Sequence, residues 1–147
     1  MDSNAMNKLE FLLGSWDLEY RIPGSIFSEA GTDIGTGNFR KALQDKYVFF
    51  EYSTQSGSEA HGIFAWDDKA KLYRYWWFES SGNYLTATCN FIDDTILAMN
   101  WHDSILVQTF VKEGPDRVVL KMQYPVAKGG HEPVLEVILT RKPASVL

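Results

Sequence analysis

The side chains of this sequence with the most chemical potential are three histidines, one cysteine and an arginine set among aromatics. His61, His102 and His131 fall at a strand start, in a tight turn and in a loop before the last strand. Zinc asks for three or four convergent ligands. His102-Asp103 supplies no third donor at ligand spacing, so no metal centre is expected. Cys89, between Thr88 and Asn90, has no base beside it to lower its pKa and reads as an inert buried thiol. Arg74 lies in Tyr73-Arg74-Tyr75-Trp76-Trp77-Phe78, the densest aromatic run. Pointing into a cavity, it would offer a bidentate fork to an anion; pointing out, it would stack on neighbouring aromatics. A Glu136–Arg74 pair could in principle move protons, but no motif supports it, and no catalytic residue is assigned.

These side chains need a scaffold, and the hydropathy pattern supplies one. In Leu12-Leu13-Gly14-Ser15-Trp16-Asp17-Leu18-Glu19-Tyr20, Trp16, Leu18 and Tyr20 share one parity and Asp17, Glu19 and Arg21 the other. That is a strand with one buried and one wet face. Before it, Asn7 and Glu10 form a capping-box pattern over a short apolar helix ending at Gly14. Gly31 to Leu43 is a second strand whose Gly31, Gly35 and Gly37 mark bends or close backbone approach. Eight further runs follow: 46–55, 60–67, 71–79, 83–92, 95–101, 104–112, 117–126 and 133–142. Short turn signals such as Asp68-Lys69-Ala70 and Ser80-Ser81-Gly82 separate them. About ten short-looped strands with no crossover element predict an all-β, antiparallel up-and-down meander, closed into a barrel with the helix as a plug.

Composition narrows the partners. Net charge is −5, which gives no electrostatic case for nucleic acid or an anionic membrane. No apolar run approaches a membrane span, and a lone cysteine fits a reducing cytoplasm. Aromatics reach 14%, suiting the wall of a cavity. Met1 to Ala5 read as an expression scar to be left out of the fold, with 6–147 as a single domain.

A short helix, Gly14-x-Trp16 on the first strand and Arg141 on the last resemble the lipocalin and fatty-acid-binding barrels. Lipocalins usually have a disulfide and eight strands, and neither is evident here. A closer resemblance is to the bacterial domain-of-unknown-function family 1579. It is carried by Leu12 to Trp16, the Gly-rich second strand, Trp66-Asp67-Asp68, and Tyr73 to Phe78 followed by Glu79-Ser80-Ser81-Gly82. The lipocalin resemblance implies that Arg141 covers the Trp16 indole at the closed end, a structural plug rather than a ligand site. Nitrobindin-like barrels share the general shape, with a Gly-rich continuation after the Trp and a late axial His. Here Asp17-Leu18-Glu19 follows Trp16, so no haem or other cofactor is expected.

The leading expectation is a small hydrophobic or amphipathic ligand, neutral or singly anionic, inside the barrel. Arg74, Trp76, Phe78, Tyr84, Phe91 and Trp101 are its candidate lining. Mid-strand polar residues (Asn38, Arg40, Asn90, Asn100, Gln108, Gln123 and Glu136) could add hydrogen bonds. Ile26 and Phe27, in the Ser25–Ala30 loop, would partly cover the mouth. The alternatives are an isomerase- or lyase-type enzyme using the same cavity, and a protein dimerising through the Tyr73–Phe78 strand with no small ligand.

Overall fold

The computed structural model describes residues 3–24, 29–126 and 129–143. Ten antiparallel strands close into a barrel in meander order: β1 (Gly14–Ile22), β2 (Gly31–Ala42), β3 (Tyr47–Thr54), β4 (Glu59–Asp67), β5 (Leu72–Glu79), β6 (Tyr84–Asp93), β7 (Ile96–Trp101), β8 (Val107–Gly114), β9 (Arg117–Pro125) and β10 (His131–Arg141). The barrel is sealed by β1 pairing with β10, Trp16 opposite Arg141 and Leu18 opposite Leu139. Every ladder joins sequence neighbours except this one, because turns of a few residues can only return a strand beside its predecessor. His131 opens β10 instead of preceding it; a register shift between Pro133 and Leu135 absorbs the proline, which cannot donate to the ladder.

Ahead of the barrel, α1 (Ser3–Asn7) runs into a 3-10 turn (Lys8–Leu12). Two expectations need correcting here. Asn7 makes no side-chain cap; Lys41 Nζ reaches both Asn7 Oδ1, at 3.4 Å, and Glu10 Oε1, at 3.0 Å, tying the turn to β2. Nor can Ser3 to Ala5 be left out of the fold. Ala5 and Met6 are buried with Leu9 and Leu12, and the Tyr73 hydroxyl donates to the Ala5 carbonyl.

At this end Trp16 is fully buried, and its indole Nε1 donates to the Leu12 carbonyl at 2.7 Å. The Arg141 guanidinium lies 4.2 Å from the Trp16 ring centroid. It also donates through Nη1 to Leu13 O, through Nη2 to Phe11 O at 3.1 Å and through Nε to Pro115 O at 3.2 Å. Gly14 makes room for this: its φ is +114°, and a Cβ there would stand 2.7 Å from Arg141 Nη1. The plug turn ends with carbonyls that have no partner of their own, and one cation satisfies two of them.

Replacing Arg141 with Ala should therefore lower unfolding free energy by about 2–4 kcal/mol, from lost cation–π contact and charged hydrogen bonds together. Arg141→Lys should recover only part of it, because an ammonium cannot donate in a planar fork. Urea unfolding of the three proteins reads the order directly; a lysine variant as stable as the parent would show that charge alone suffices.

Candidate functional site

Inward parity is fixed by Trp16 and Leu18 and carried round the ladders to Phe50, Tyr75, Ala87, Met99, Phe110, Leu120 and Val137. On β5 this puts Tyr73, Tyr75, Trp77 and Glu79 inside, and Arg74, Trp76 and Phe78 outside. Four of the expected lining residues thus fall on the outer wall: Arg74, Trp76, Phe78 and Tyr84. Arg74 Nε donates to Asp67 Oδ2 at 2.8 Å, fixing the β4–β5 turn and leaving no anion anchor in the lumen. The Ala70 N–H first, and the Arg74 side chain second, hold the Asp67 carboxyl below its ordinary range. Trp76 is half-buried, while Phe78 and Tyr84 are 46% and 71% exposed.

Two of the expected residues do face inward, at different levels. Phe91 sits near the plug, edge-on to Phe11 and Tyr73. Trp101 lines the cavity, its Nε1 donating to Gln108 Oε1 at 3.1 Å while Gln108 Nε2 rests 3.3 Å from Met99 Sδ. Of the mid-strand polar residues, Gln108 is the buried one; Arg40, Asn90 and Asn100 are exposed, and Asn38 bonds Ser15 Oγ at 2.9 Å on the outside.

The cavity has a volume of about 380 Å³ and lies in the half of the barrel away from the plug. Its walls include Tyr20, Phe50, Tyr52, Tyr75, Trp77, Trp101 and Phe110, with Leu18, Leu85, Leu120, Val137 and Leu139 between them. Glu79, Asp103 and Ser104 stand at the mouth end, in or beside the β5–β6 and β7–β8 connections. The rings form a continuous stack: Phe39–Phe50 at 4.1 Å, Phe50–Tyr52 at 5.8 Å and Tyr52–Trp77 at 5.5 Å between centroids. Inward-facing glycines seat two of them. A Cβ on Gly37 would lie 2.9 Å from Phe50 Cε1, and one on Gly62 would lie 1.9 Å from the Tyr75 hydroxyl. Ile26 and Phe27, expected over the mouth, lie outside the described residues.

The tyrosines of this half, and Cys89 deeper in the barrel, hold their protons tightly. Burial pushes up Tyr20, Tyr52 and Tyr75, and the negative charges of Glu79 and Asp33 add to the shift at Tyr52. Burial alone lifts the Cys89 thiol from 9.0 to about 12. Among the described residues no three His, Cys, Asp or Glu side chains gather where a metal could sit, and no histidine lines the cavity. His61 and His131 are exposed on the outside, and His102 Nδ1 is 2.6 Å from Thr86 Oγ1 in the turn after β7.

Sequence reasoning missed Tyr20, Tyr52, Tyr75 and Trp77 as lining. The signal was present in Arg74: taken as the mark of the wet parity, it would have turned Tyr73, Tyr75 and Trp77 inward. A second, shallower depression of about 750 Å³ lies along Arg21, Lys121 and Glu136, between Pro23 and Ala30.

No protein family and no curated protein matches this sequence. Among solved structures, the chain is similar to Rv2717c from M. tuberculosis, with a TM-score of 0.66 at 14% identity over 96% of this chain and 99% of that one. A de novo designed fluorescence-activating β-barrel aligns with a TM-score of 0.47 at 14% identity over 90% of this chain and 95% of that one. The first similarity shows a shared barrel fold.

The raised thiol and phenols make stability pH-dependent in a defined direction. Below pH 9.0 the folded and unfolded chains both keep these protons, so the contribution is fully present. Above it the unfolded chain ionises first, and stability falls as pH rises from 9.0 through about 12. Tyrosinate absorbance should rise together with loss of the far-ultraviolet circular dichroism of the barrel. Tyrosines titrating fully near their ordinary 10.0 in a chain that keeps its native spectrum would show that water already reaches them.

Proposed function

We propose that this chain is a lipocalin-like binding barrel, of the kind represented by domain-of-unknown-function family 1579, that takes a small hydrophobic or amphipathic molecule into its lumen in the cytoplasm. One observation carries the reading: an aromatic-walled cavity of about 380 Å³, closed by the plug at one end. That is within the size range of small-molecule pockets, and its wall is mostly apolar, with Gln108 deep inside and polar groups at the mouth. Complete burial of an apolar body there supplies about 25 cal/mol per Å². The free, protonated Cys89 is consistent with a reducing compartment.

The tyrosines and the thiol argue for binding over proton-transfer catalysis. A general acid or base works best with a pKa near the operating pH, and the shifted phenols and Cys89 all move away from it. Nile red, a neutral apolar dye, should gain fluorescence saturably with this protein and be displaced by small alcohols. Leu120→Trp, which fills the lumen from β9, should weaken dye binding about tenfold or more while the barrel's circular dichroism is unchanged. Equal dye affinity in the two proteins would place the dye elsewhere and remove the support for a lumenal ligand.

The outer face of β5 adds a second partner to the proposal. Trp76, Phe78 and the adjacent Tyr84 form an apolar strip on the outside of the wall. A twofold homodimer is the usual way to cover such a strip. Sedimentation at micromolar concentration should show a dimer that Phe78→Glu converts to monomer; a parent chain that is already monomeric rules the dimer out.

A further inference from the structure

Among the described residues that line the cavity, the charged side chains are of a single sign. Glu79 ends β5 on the inward parity of Tyr75 and Trp77, and Asp103 sits in the turn after β7; both line the cavity. Among the described residues no lysine or arginine lines it, and none forms an ion pair with either carboxylate. Arg21 and Lys121, on β1 and β9, belong to the outer parity. Arg21 is already engaged there, 3.4 Å from Glu19 and 3.8 Å from Glu136, and Lys121 is the cross-strand partner of Glu136.

Just inside the carboxylates stand Tyr20, Tyr52, Trp77 and Trp101, half-buried side chains whose remaining exposure is shared with the cavity. The negative faces of such rings attract a cation and repel an anion. After burial, the next influences on the Tyr52 phenol include the negative field of Glu79, so that field reaches the neck of the cavity. A carboxylate ligand would have to leave water with no fork to receive it and two like charges beside it, which is heavily unfavourable. An alkylammonium would find the rings and the carboxylates in the right order from inside to outside.

We propose that the barrel is selective for amphipathic cations: an apolar body in the lumen, with a substituted ammonium head held in the aromatic neck beneath Glu79 and Asp103. The proposal rests on the small-molecule reading above and replaces the neutral or anionic ligand expected from the sequence.

The test is a set of ligands with one body and three heads: decyltrimethylammonium, decanol and decanoate, each below its micelle concentration. Binding is followed by intrinsic tryptophan fluorescence and by calorimetry at moderate salt. The ammonium should bind about tenfold or more tighter than decanoate, with decanol between them. Glu79→Gln combined with Asp103→Asn should weaken the ammonium about fivefold or more and leave decanol unchanged. If decanoate matches the ammonium, or if the double variant leaves the ammonium-to-decanol ratio intact, the charge selectivity is wrong and the binding barrel stands. If none of the three binds, the binding reading falls and takes the selectivity with it.

Discussion

The contact of Arg141 with Trp16 is the constraint on which the rest of the molecule depends. A meander barrel has one ladder that local turns do not make, the one between its first and last strands. Here Trp16 and Arg141 are cross-strand partners in that ladder. The same guanidinium covers the indole and donates to the carbonyls of Phe11 and Leu13 in the plug turn. Closure of the sheet, burial of the largest core side chain and sealing of one end are therefore one event. Losing any one of them exposes the others: an open ladder frees strand edges, and an unplugged end leaves helix-turn carbonyls without partners.

Closure in turn decides where space is left. The plug half is filled by Leu9, Leu12, Phe64, Tyr73, Cys89, Leu97 and Met99, all essentially removed from solvent. Barrel diameter grows with strand number, and eight strands already leave an interior that side chains just fill or that holds one small ligand. With ten strands the interior is wider still, and the second half has no plug of its own among the described residues. The open cavity follows from the strand count and from a plug helix that, among the described residues, stands at one end only.

Strand order, closure and plugging were legible in the sequence because each rests on local signals. Turn residues punctuate every strand, and Trp16, Leu18 and Tyr20 alternate cleanly with Asp17, Glu19 and Arg21. Observed strand ends fall within a residue or two of most of the expected runs; Ser104 to Leu106 stay outside β8, and β10 begins earlier than expected. The wall of the cavity was harder to read. Tyr73 to Phe78 is bulky on both parities, so alternation there rests on Arg74 alone, and the side facing inward is fixed by the neighbouring ladders. The start of the plug was illegible for a different reason. Ser3 to Ala5 lack any apolar period, yet Ala5 is small enough to pack against the closed end and give its carbonyl to Tyr73.

What keeps the cavity from filling with its own walls is the pairing of large rings with glycines. Phe50 and Tyr75 both lie on the inward parity, where a ring standing perpendicular to the sheet would project into the lumen. Gly37 and Gly62 are also inward positions, and the absence of a Cβ at each lets the neighbouring ring lie against the wall. Phe50 then stacks on Tyr52 and Trp77, and Tyr75 lies tilted against Trp77, which limits their rotation. Aromatic side chains have few torsions to lose, so a wall built this way is ordered before any ligand arrives. A bound molecule would lose little free energy in rearranging it. Two glycines, two rings and the stack they join thus set the volume of the site, and the carboxylates at the mouth act on whatever that volume admits.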